Sequence, residues 1–352
     1  MKSDSIAAHR ITSQHIGAGK FQKAGDVVAH MGAMQAQDFA MARWAVGLRS
    51  AALTEKDILN AYNKGEILRT HVLRPTWHLV ANSDADWLLR LSAPQLLGSL
   101  VTWNKKLKLS ESVYARSQKV LEKALLHGPV TRDTAVAALK AAKPGFPPGS
   151  HTLFLFRAEI DRLIVSGPLI GGETTYTLFD ARVKKREDLP REEAAARLAQ
   201  RYFTSHGPAT LEDFIWWSGL KTSEARQAFA AVANNFCTET FKGLTYLMPQ
   251  KLLPASAKTC LLPGFDEFII GYTDRSAMLG KDIAARVISR NGIFRPTIVQ
   301  NGRVRGIWAW EVLKGKRVFK PTYFDTKDIR LAQAAATELK RLATFYGAPL
   351  GS

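Results

Sequence analysis

The feature that most constrains the fold is an internal repeat. Residues Leu121–Leu139 read LEKALLHGPVTRDTAVAAL, and residues Gln200–Ser218 read QRYFTSHGPATLEDFIWWS. Each copy has a helical stretch ending at His-Gly-Pro, then a small apolar residue, Thr and a new helix. Gly128 and Gly207 suit the left-handed position after a helix, and Pro129 and Pro208 stop the helix from running on. Thr131 and Thr210 suit N-caps, with Thr134 and Asp213 three residues on.

The segments downstream of the two copies are parallel as well. The first copy leads to an expected helix at His151–Arg162, a strand Leu163–Ser166, a turn at Gly171-Gly172 and a strand Thr174–Leu178. The second leads to a helix at Ser223–Ala233 and strands Phe236–Phe241 and Leu244–Met248 joined at Lys242-Gly243. Three helices and a hairpin form the winged-helix plan, a common nucleic-acid-binding module. The first hundred residues fit it less cleanly. Helices are predicted at Ser5–Gln14, Gly25–Met34, Phe39–Leu48 and Thr54–Lys64, and strands at Ile67–Leu73 and Thr76–Val80. A helix from Asp84 should end before Pro94.

The last hundred residues change character. Thr259–Gly271, Gly292–Gln300 and Val304–Glu311 are β-rich, and Asn301-Gly302 is a hairpin-turn dipeptide. A helix at Thr326–Thr344 closes the chain, with apolar positions every three or four residues. The expected class is α+β: three tandem winged-helix units at 1–110, 111–188 and 189–256, then a β-barrel-like region at 257–352.

Charge narrows the function. Lys and Arg number 49 against 31 Asp and Glu, a formal net charge of +18. Such an excess points to a polyanionic partner, most often nucleic acid. Arg286, Arg290, Arg295, Arg303, Arg305, Lys314, Lys316, Arg317 and Lys320 crowd one stretch in which Glu311 is the sole acid. Of these, Arg295, Arg303, Arg305, Lys316 and Arg317 are the candidate phosphate contacts, with Arg74 of the first hairpin. Smaller clusters stand at Lys105, Lys106 and Lys108, and at Lys184, Lys185 and Arg186.

Several classes drop out. No apolar run approaches the roughly 18 residues of a membrane-spanning helix, and the first residues lead into no signal-peptide core. Two cysteines, Cys237 and Cys260, cannot frame a disulfide scaffold or a structural zinc site, and the eight histidines are scattered. The expectation is a cytoplasmic, nucleoid-associated monomer without metal or cofactor.

The most unusual local sequence is Met34-Gln35-Ala36-Gln37-Asp38. Two glutamines two positions apart point to nearly opposite sides of a helix but share a face in an extended segment. Asp38 could cap the helix starting at Phe39, leaving both glutamines in a short link where two amides could hold one water or one substrate group.

The chain resembles the AlkZ/YcaQ-like family of winged-helix DNA glycosylases. The resemblance rests on Met34-Gln-Ala-Gln-Asp38, Leu73-Arg-Pro-Thr-Trp-His-Leu-Val80, Gly207-Pro-Ala-Thr-Leu-Glu-Asp-Phe-Ile-Trp-Trp-Ser-Gly219 and Leu261-Leu-Pro-Gly-Phe-Asp-Glu-Phe-Ile-Ile-Gly-Tyr-Thr-Asp-Arg-Ser276. These segments run from the first quarter to the last. The resemblance implies three winged helices and a barrel forming a concave surface for double-stranded DNA. It implies a monofunctional glycosylase that removes N-alkylated purines and unhooks some interstrand crosslinks. It assigns catalysis to a Gln-Φ-Gln or Gln-Φ-Asp motif, matched here by Gln35 and Gln37 with Ala36 as a small Φ. Gln37 departs from the Asp of the YcaQ branch, and Pro75 stands where Gly is expected in the hairpin.

The chemistry is consistent. Cleaving an N-glycosidic bond passes through an oxocarbenium-like sugar. A neutral purine leaves poorly and wants a general acid, whereas an N7-alkylated guanine is already cationic and departs neutral. Two untitratable amides can serve such a lesion by orienting water and placing carbonyl dipoles near the sugar cation. Asp38 and His78 are further candidates for catalysis or lesion contact. Trp216, Trp217, Phe39 and Trp44 read as core, and Asp266, Glu267, Asp274 and Arg275 as a structural ion-pair network. The rival reading is a non-enzymatic winged-helix DNA-binding regulator, usually a dimer with recognition helices rich in Arg, Asn or Gln. His151–Arg162 and Ser223–Ala233 are poor in them.

Overall fold

The computed structural model describes residues 3–17, 19–184, 186–249, 259–313 and 316–347. Lys185, Lys314 and the expected boundary between 256 and 257 lie outside the described residues.

The chain runs three times through one order of elements. The first passage opens with α1 (Ser3–Ser13) and has α2 (Ala24–Met31), β1 (Met34–Gln35), α3 (Phe39–Arg49), α4 (Glu55–Lys64), β2 (Ile67–His71) and β3 (Trp77–Ala81). A long helix, α5 (Ala85–Leu107), leads to the second. That has α6 (Glu111–Leu125), β4 (Val130–Thr131), α7 (Arg132–Ala141), α8 (His151–Ile160), β5 (Ile164–Ser166) and β6 (Thr175–Leu178). After the short α9 (Phe179–Arg182), the third has α10 (Arg191–His206), α11 (Leu211–Ser218), α12 (Thr222–Val232), β7 (Cys237–Phe241) and β8 (Leu244–Met248).

The sequence pattern missed a short strand that follows α2 in the first passage and α6 in the second. It joins the hairpin: the sheets are ordered β1-β3-β2 and β4-β6-β5. In the third passage a single bridge, Ala209 to Leu247, takes its place. Met34 faces Leu79 and Gln35 faces His78, as Val130 faces Tyr176 and Thr131 faces Thr175. Gln35 therefore occupies the place that Thr131 and Thr210 hold in the other passages.

Local chemistry sets the helix starts. Thr131 accepts from Thr134 N, and Thr210 forms a capping box with Asp213, as the repeat predicts. Gly128 has a positive φ of 128°, but Gly207 does not, at −59°. Glycine is needed at 207 for space instead, because a Cβ there would stand 2.6 Å from Phe203 O. The helix from Ala85 also does not stop before Pro94. Pro94 removes one helical hydrogen bond, yet beyond it Leu96 and Leu100 bury against Ile160 of α8, which keeps the helix running to Leu107.

The C-terminal part comprises β9 (Thr259–Leu262), α13 (Glu267–Ile270), α14 (Ala284–Val287), β10 (Thr297–Gln300), β11 (Arg303–Leu313), β12 (Lys316–Tyr323) and α15 (Ile329–Phe345). Asn301 and Gly302, both at positive φ, make the β10–β11 turn as expected. The sheet is antiparallel in the order β12-β11-β10-β9, and its outer strands do not pair. It is therefore an open sheet with α15 packed on it, not a closed barrel, among the described residues. With four strands, one helix closes the apolar face that a barrel would close on itself.

The core joins distant parts of the chain. One buried cluster runs from Ile6 through Trp44, Tyr202 and Trp217 to Trp308 and Tyr346. The second passage has a core of its own, around Leu121, Phe154 and Tyr176. The first and third passages and the C-terminal sheet are thus packed as one body, which brings residues near 35, 74, 216 and 267 together.

Candidate active site

Gln35 lies on β1, and the ladder continues one residue further, where Ala36 N donates to Trp77 O at 2.7 Å. Ala36 is fully buried, while Gln35 is half-buried and Gln37 exposed. The chain then bends, and Asp38 caps α3 by accepting from Met41 N at 3.0 Å. At Thr131 and Thr210 the equivalent residue is itself the cap. The first passage places its cap three residues later, and those residues release both glutamines from helix duty.

Both amides are held at the tip of the β2–β3 hairpin. Gln35 Oε1 accepts from Arg74 Nη2, and Gln37 Oε1 from Trp77 N, each at 3.4 Å. These are long contacts. Arg69 grips the backbone of the same link, donating through Nε to Ala36 O (3.0 Å) and through Nη2 to Gln37 O (3.4 Å). Its guanidinium stacks over Trp77, 4.4 Å from the ring centre.

Behind the link stands a buried carboxylate. Glu267, at the start of α13, accepts from Gln35 N at 2.7 Å through Oε1 and from Trp217 Nε1 at 3.0 Å through Oε2. His206 Nε2 stands 3.6 Å from Oε2. Burial opposes the charge on Glu267, but the His206 contact, nearby Arg74 and the Gln35 N–H outweigh it and hold the carboxyl at about 2. Burial pulls the His206 imidazole and the Arg74 guanidinium below their ordinary values. Sequence reasoning placed Glu267 in a structural network and missed its bond to Gln35. Its neighbour Asp266 is structural, pairing with Arg49 through two 2.9 Å hydrogen bonds.

His78 lies opposite Gln35 on β3 and is fully buried. Burial, followed by the Arg74 charge, lowers its pKa to about 3. Its Nδ1 lies 2.9 Å from Thr76 O, which can only accept, so Nδ1 carries the proton.

The two tryptophans of α11 part company. Trp217 is 0% exposed, as expected of core. Trp216 is 47% exposed, which corrects the core reading. Consecutive helical side chains point about 100° apart, so an amphipathic helix of this width cannot bury both. Trp216 stands between Arg74 and Arg275, each guanidinium 5.9 Å from its ring centre. Gly219 ends α11 in the left-handed conformation, and a Cβ there would fall 2.5 Å from Leu73 O. That glycine lets the end of the helix approach the hairpin tip.

The expected phosphate contacts are spread out. Arg74 is in the site itself. Arg295 is exposed and adjoins Phe294, whose ring lies 5.5 Å from the Arg275 guanidinium. Arg303 and Arg305 alternate with buried Val304 on β11 and line a cleft with Arg286, Asp282, Asp325 and Asp328. Lys316 begins β12 opposite Leu313, and its side chain lies outside the described residues. Arg317 pairs with Glu55 at 3.2 Å and lies over Tyr346. Among the described residues no three His, Cys, Asp or Glu side chains converge as metal ligands, and no helix is long and apolar enough to cross a membrane.

Comparison with known proteins agrees in range and shape. A model of the family described as DNA glycosylase AlkZ-like matches residues 28–345. A Streptomyces sahachiroi protein named interstrand DNA cross-link repair glycosylase is 26% identical over 337 residues, covering 90% of this chain and 89% of its own. The solved structure of Streptomyces sahachiroi DNA glycosylase AlkZ superposes with a TM-score of 0.80 at 24% identity, covering 100% of this chain and 99% of that one.

Proposed function

The chain belongs to the AlkZ-like DNA glycosylase family, and on that premise we propose that it hydrolyses the N-glycosidic bond of cationic N-alkylated purines in duplex DNA. N7-alkylguanine is the favoured class, and the same chemistry would unhook an interstrand crosslink joined through such a nitrogen. The carrying observation is the Gln35-Ala36-Gln37 link, with both amides at one hairpin tip and an ionised Glu267 bonded to its backbone. The repeated order of three helices and a hairpin, with a short strand or bridge after the first of these helices, supports reading the three passages as winged helices.

In this reading the C1′–N9 bond breaks with its electron pair going to the base, which leaves neutral. Water adds to the sugar cation and gives its proton to solvent, so the enzyme is monofunctional. Gln37, the exposed amide, orients the water. The Gln35 carbonyl and the fixed charge of Glu267 behind it favour positive charge on the sugar. Asp38 serves as helix cap and His78 as a buried support of the strand. Arg295, Arg303 and Arg305 would meet phosphates, while Arg74 and Arg317 position neighbouring side chains.

The test is release of free base from a duplex carrying a single 7-methylguanine. Appearance of 7-methylguanine and an abasic site supports the reading. Survival of that lesion and of N3-methyladenine through prolonged incubation overturns it.

A further inference from the structure

Strand β2 is an edge of its sheet, so one side of its backbone has no strand to pair with. The second passage covers that side with two side chains. Ser166 Oγ, on β5, accepts from Arg69 N at 2.9 Å. Glu159, on α8, accepts through Oε2 from the Thr70 hydroxyl at 3.0 Å, from His71 N at 3.3 Å and from His71 Nδ1 at 3.1 Å. Glu159 is fully buried. A carboxylate only accepts, so the imidazole donates through Nδ1 and its orientation is fixed.

That imidazole begins a stack. Its ring centre lies 4.0 Å from that of Trp77, its partner across the hairpin. Phe156 of α8 packs edge-on against it at 4.7 Å. The Arg69 guanidinium lies 4.4 Å from the Trp77 ring centre. Residues two apart on a strand share a face, so Arg69 and His71 reach the same indole. From there the contacts end on the glutamine link. Arg69 holds Ala36 O and Gln37 O, Trp77 N donates to Gln37 Oε1, and Ala36 N donates to Trp77 O. The second passage has a core of its own with Trp77 packed against it, so its seat on β2 is a separate input to the hairpin.

We propose that Glu159 is a positioning residue: from the second passage it sets the stack of His71, Trp77 and Arg69, and through that stack the place of the Gln37 amide. The effect on turnover rests on the proposed glycosylase reading; the tie between Glu159 and the link does not. A buried carboxylate without this duty would matter to folding alone. One that aims an amide matters to rate, because misplacing a reacting group by about 1 Å can cost on the order of 10²-fold.

Glu159→Ala and Glu159→Gln, compared on a duplex carrying one 7-methylguanine and below the melting range of both, test this. Glu159→Ala should lower kcat at least tenfold with KM within threefold. Glu159→Gln keeps an acceptor for Thr70 and His71 and should recover most of that loss. Gln37→Ala should cost at least fivefold less in the Glu159→Ala background than in wild type, since the amide it removes is already displaced. Hydrogen exchange of the free protein over residues 34–38 should be at least threefold faster in Glu159→Ala. His71→Ala removes the middle of the stack and should repeat the loss in kcat and the faster exchange; it decides if Glu159→Ala fails to fold.

Unchanged exchange over 34–38 overturns the coupling. So, in a protein that releases base, do additive losses from Glu159→Ala and Gln37→Ala, or equal turnover of the Ala and Gln variants at 159. Exchange needs no substrate, so the two readings fail separately. Faster exchange in Glu159→Ala, beside wild-type protein that releases no base, keeps the tie and overturns the glycosylase. Base release that Glu159→Ala leaves undisturbed does the reverse.

Discussion

The main-chain N–H of Gln35 donates to Glu267 Oε1 at 2.7 Å across 232 positions of sequence. The bond ties the candidate site to the C-terminal part, and it sets a fixed negative charge one peptide group behind two neutral amides. Glu267→Gln keeps the size and an acceptor but removes the charge. Turnover on 7-methylguanine should fall at least tenfold, because the sugar cation loses a preorganised anion. Stability should fall by about 1–3 kcal/mol as Trp217 and Gln35 lose a charge-assisted acceptor. Unchanged turnover in a melted-and-refolded control would remove Glu267 from the mechanism.

Gln37 should behave differently from Glu267. Its side chain is exposed and held by one long contact. Gln37→Ala should leave Tm within a degree or so and DNA affinity within a few-fold. Turnover should fall on the order of 10²-fold, the usual loss for one preorganised polar group. Parallel losses in affinity and turnover would assign Gln37 to binding instead.

The neighbours Trp216 and Trp217 make a stability pair. Trp217→Ala removes a fully buried indole and should cost about 3–5 kcal/mol, read by urea melts. Trp216→Ala should cost no more than about 1 kcal/mol of stability, for the indole bond to Ile270 O, and weaken DNA binding by about 1–3 kcal/mol if the ring stacks on a base. Unaltered affinity would leave Trp216 with no part in DNA binding.

The pH profile is set by the pKa values. Glu267 at about 2 and His78 at about 3 do not titrate between pH 6 and 9, so turnover on a cationic lesion should be flat there. A bell shape would require a titrating acid or base. Stability should not be flat below that range. His15 and His30 at about 4, and His78 at about 3, bind protons less readily folded than unfolded. Their contribution is therefore complete above pH 6.5 and is lost as pH falls toward 4 and below, with Glu267 adding to the loss from about 4.5 to 2. Melting temperature should drop steadily from pH 7 to 4.

Much of this was legible in the sequence because it is local. The His-Gly-Pro repeat, the Thr131 and Thr210 caps and the Asn301-Gly302 turn are written in neighbouring residues. The glutamine link could be read too, since Asp38 marks where α3 begins. What could not be read was set by contacts between distant segments. The run of α5 past Pro94 depends on Ile160, 66 positions later. The bond from Glu267 depends on where α13 packs. The close approach of Gly219 to Leu73, which sets the end of α11 against the hairpin tip, joins positions far apart in the chain. A two-residue strand such as β1 has too few residues to show an alternation, so only its partner β3 reveals it.

The three-residue delay of the cap after β1 has a consequence for how activity could be lost. One address in the frame is used three times, and in two of them the residue there is occupied with capping the start of a helix. A shortened link with Thr at 35 would restore that occupation and give up the buried Ala36 side chain and its 2.7 Å bond to Trp77 O. Such a chain would keep its hold on DNA while being unable to cut, and would compete with active copies for damaged sites. On the proposed reading the chemistry sits in the three residues by which this link exceeds the other two, and homologues with the short link should bind DNA without releasing a base.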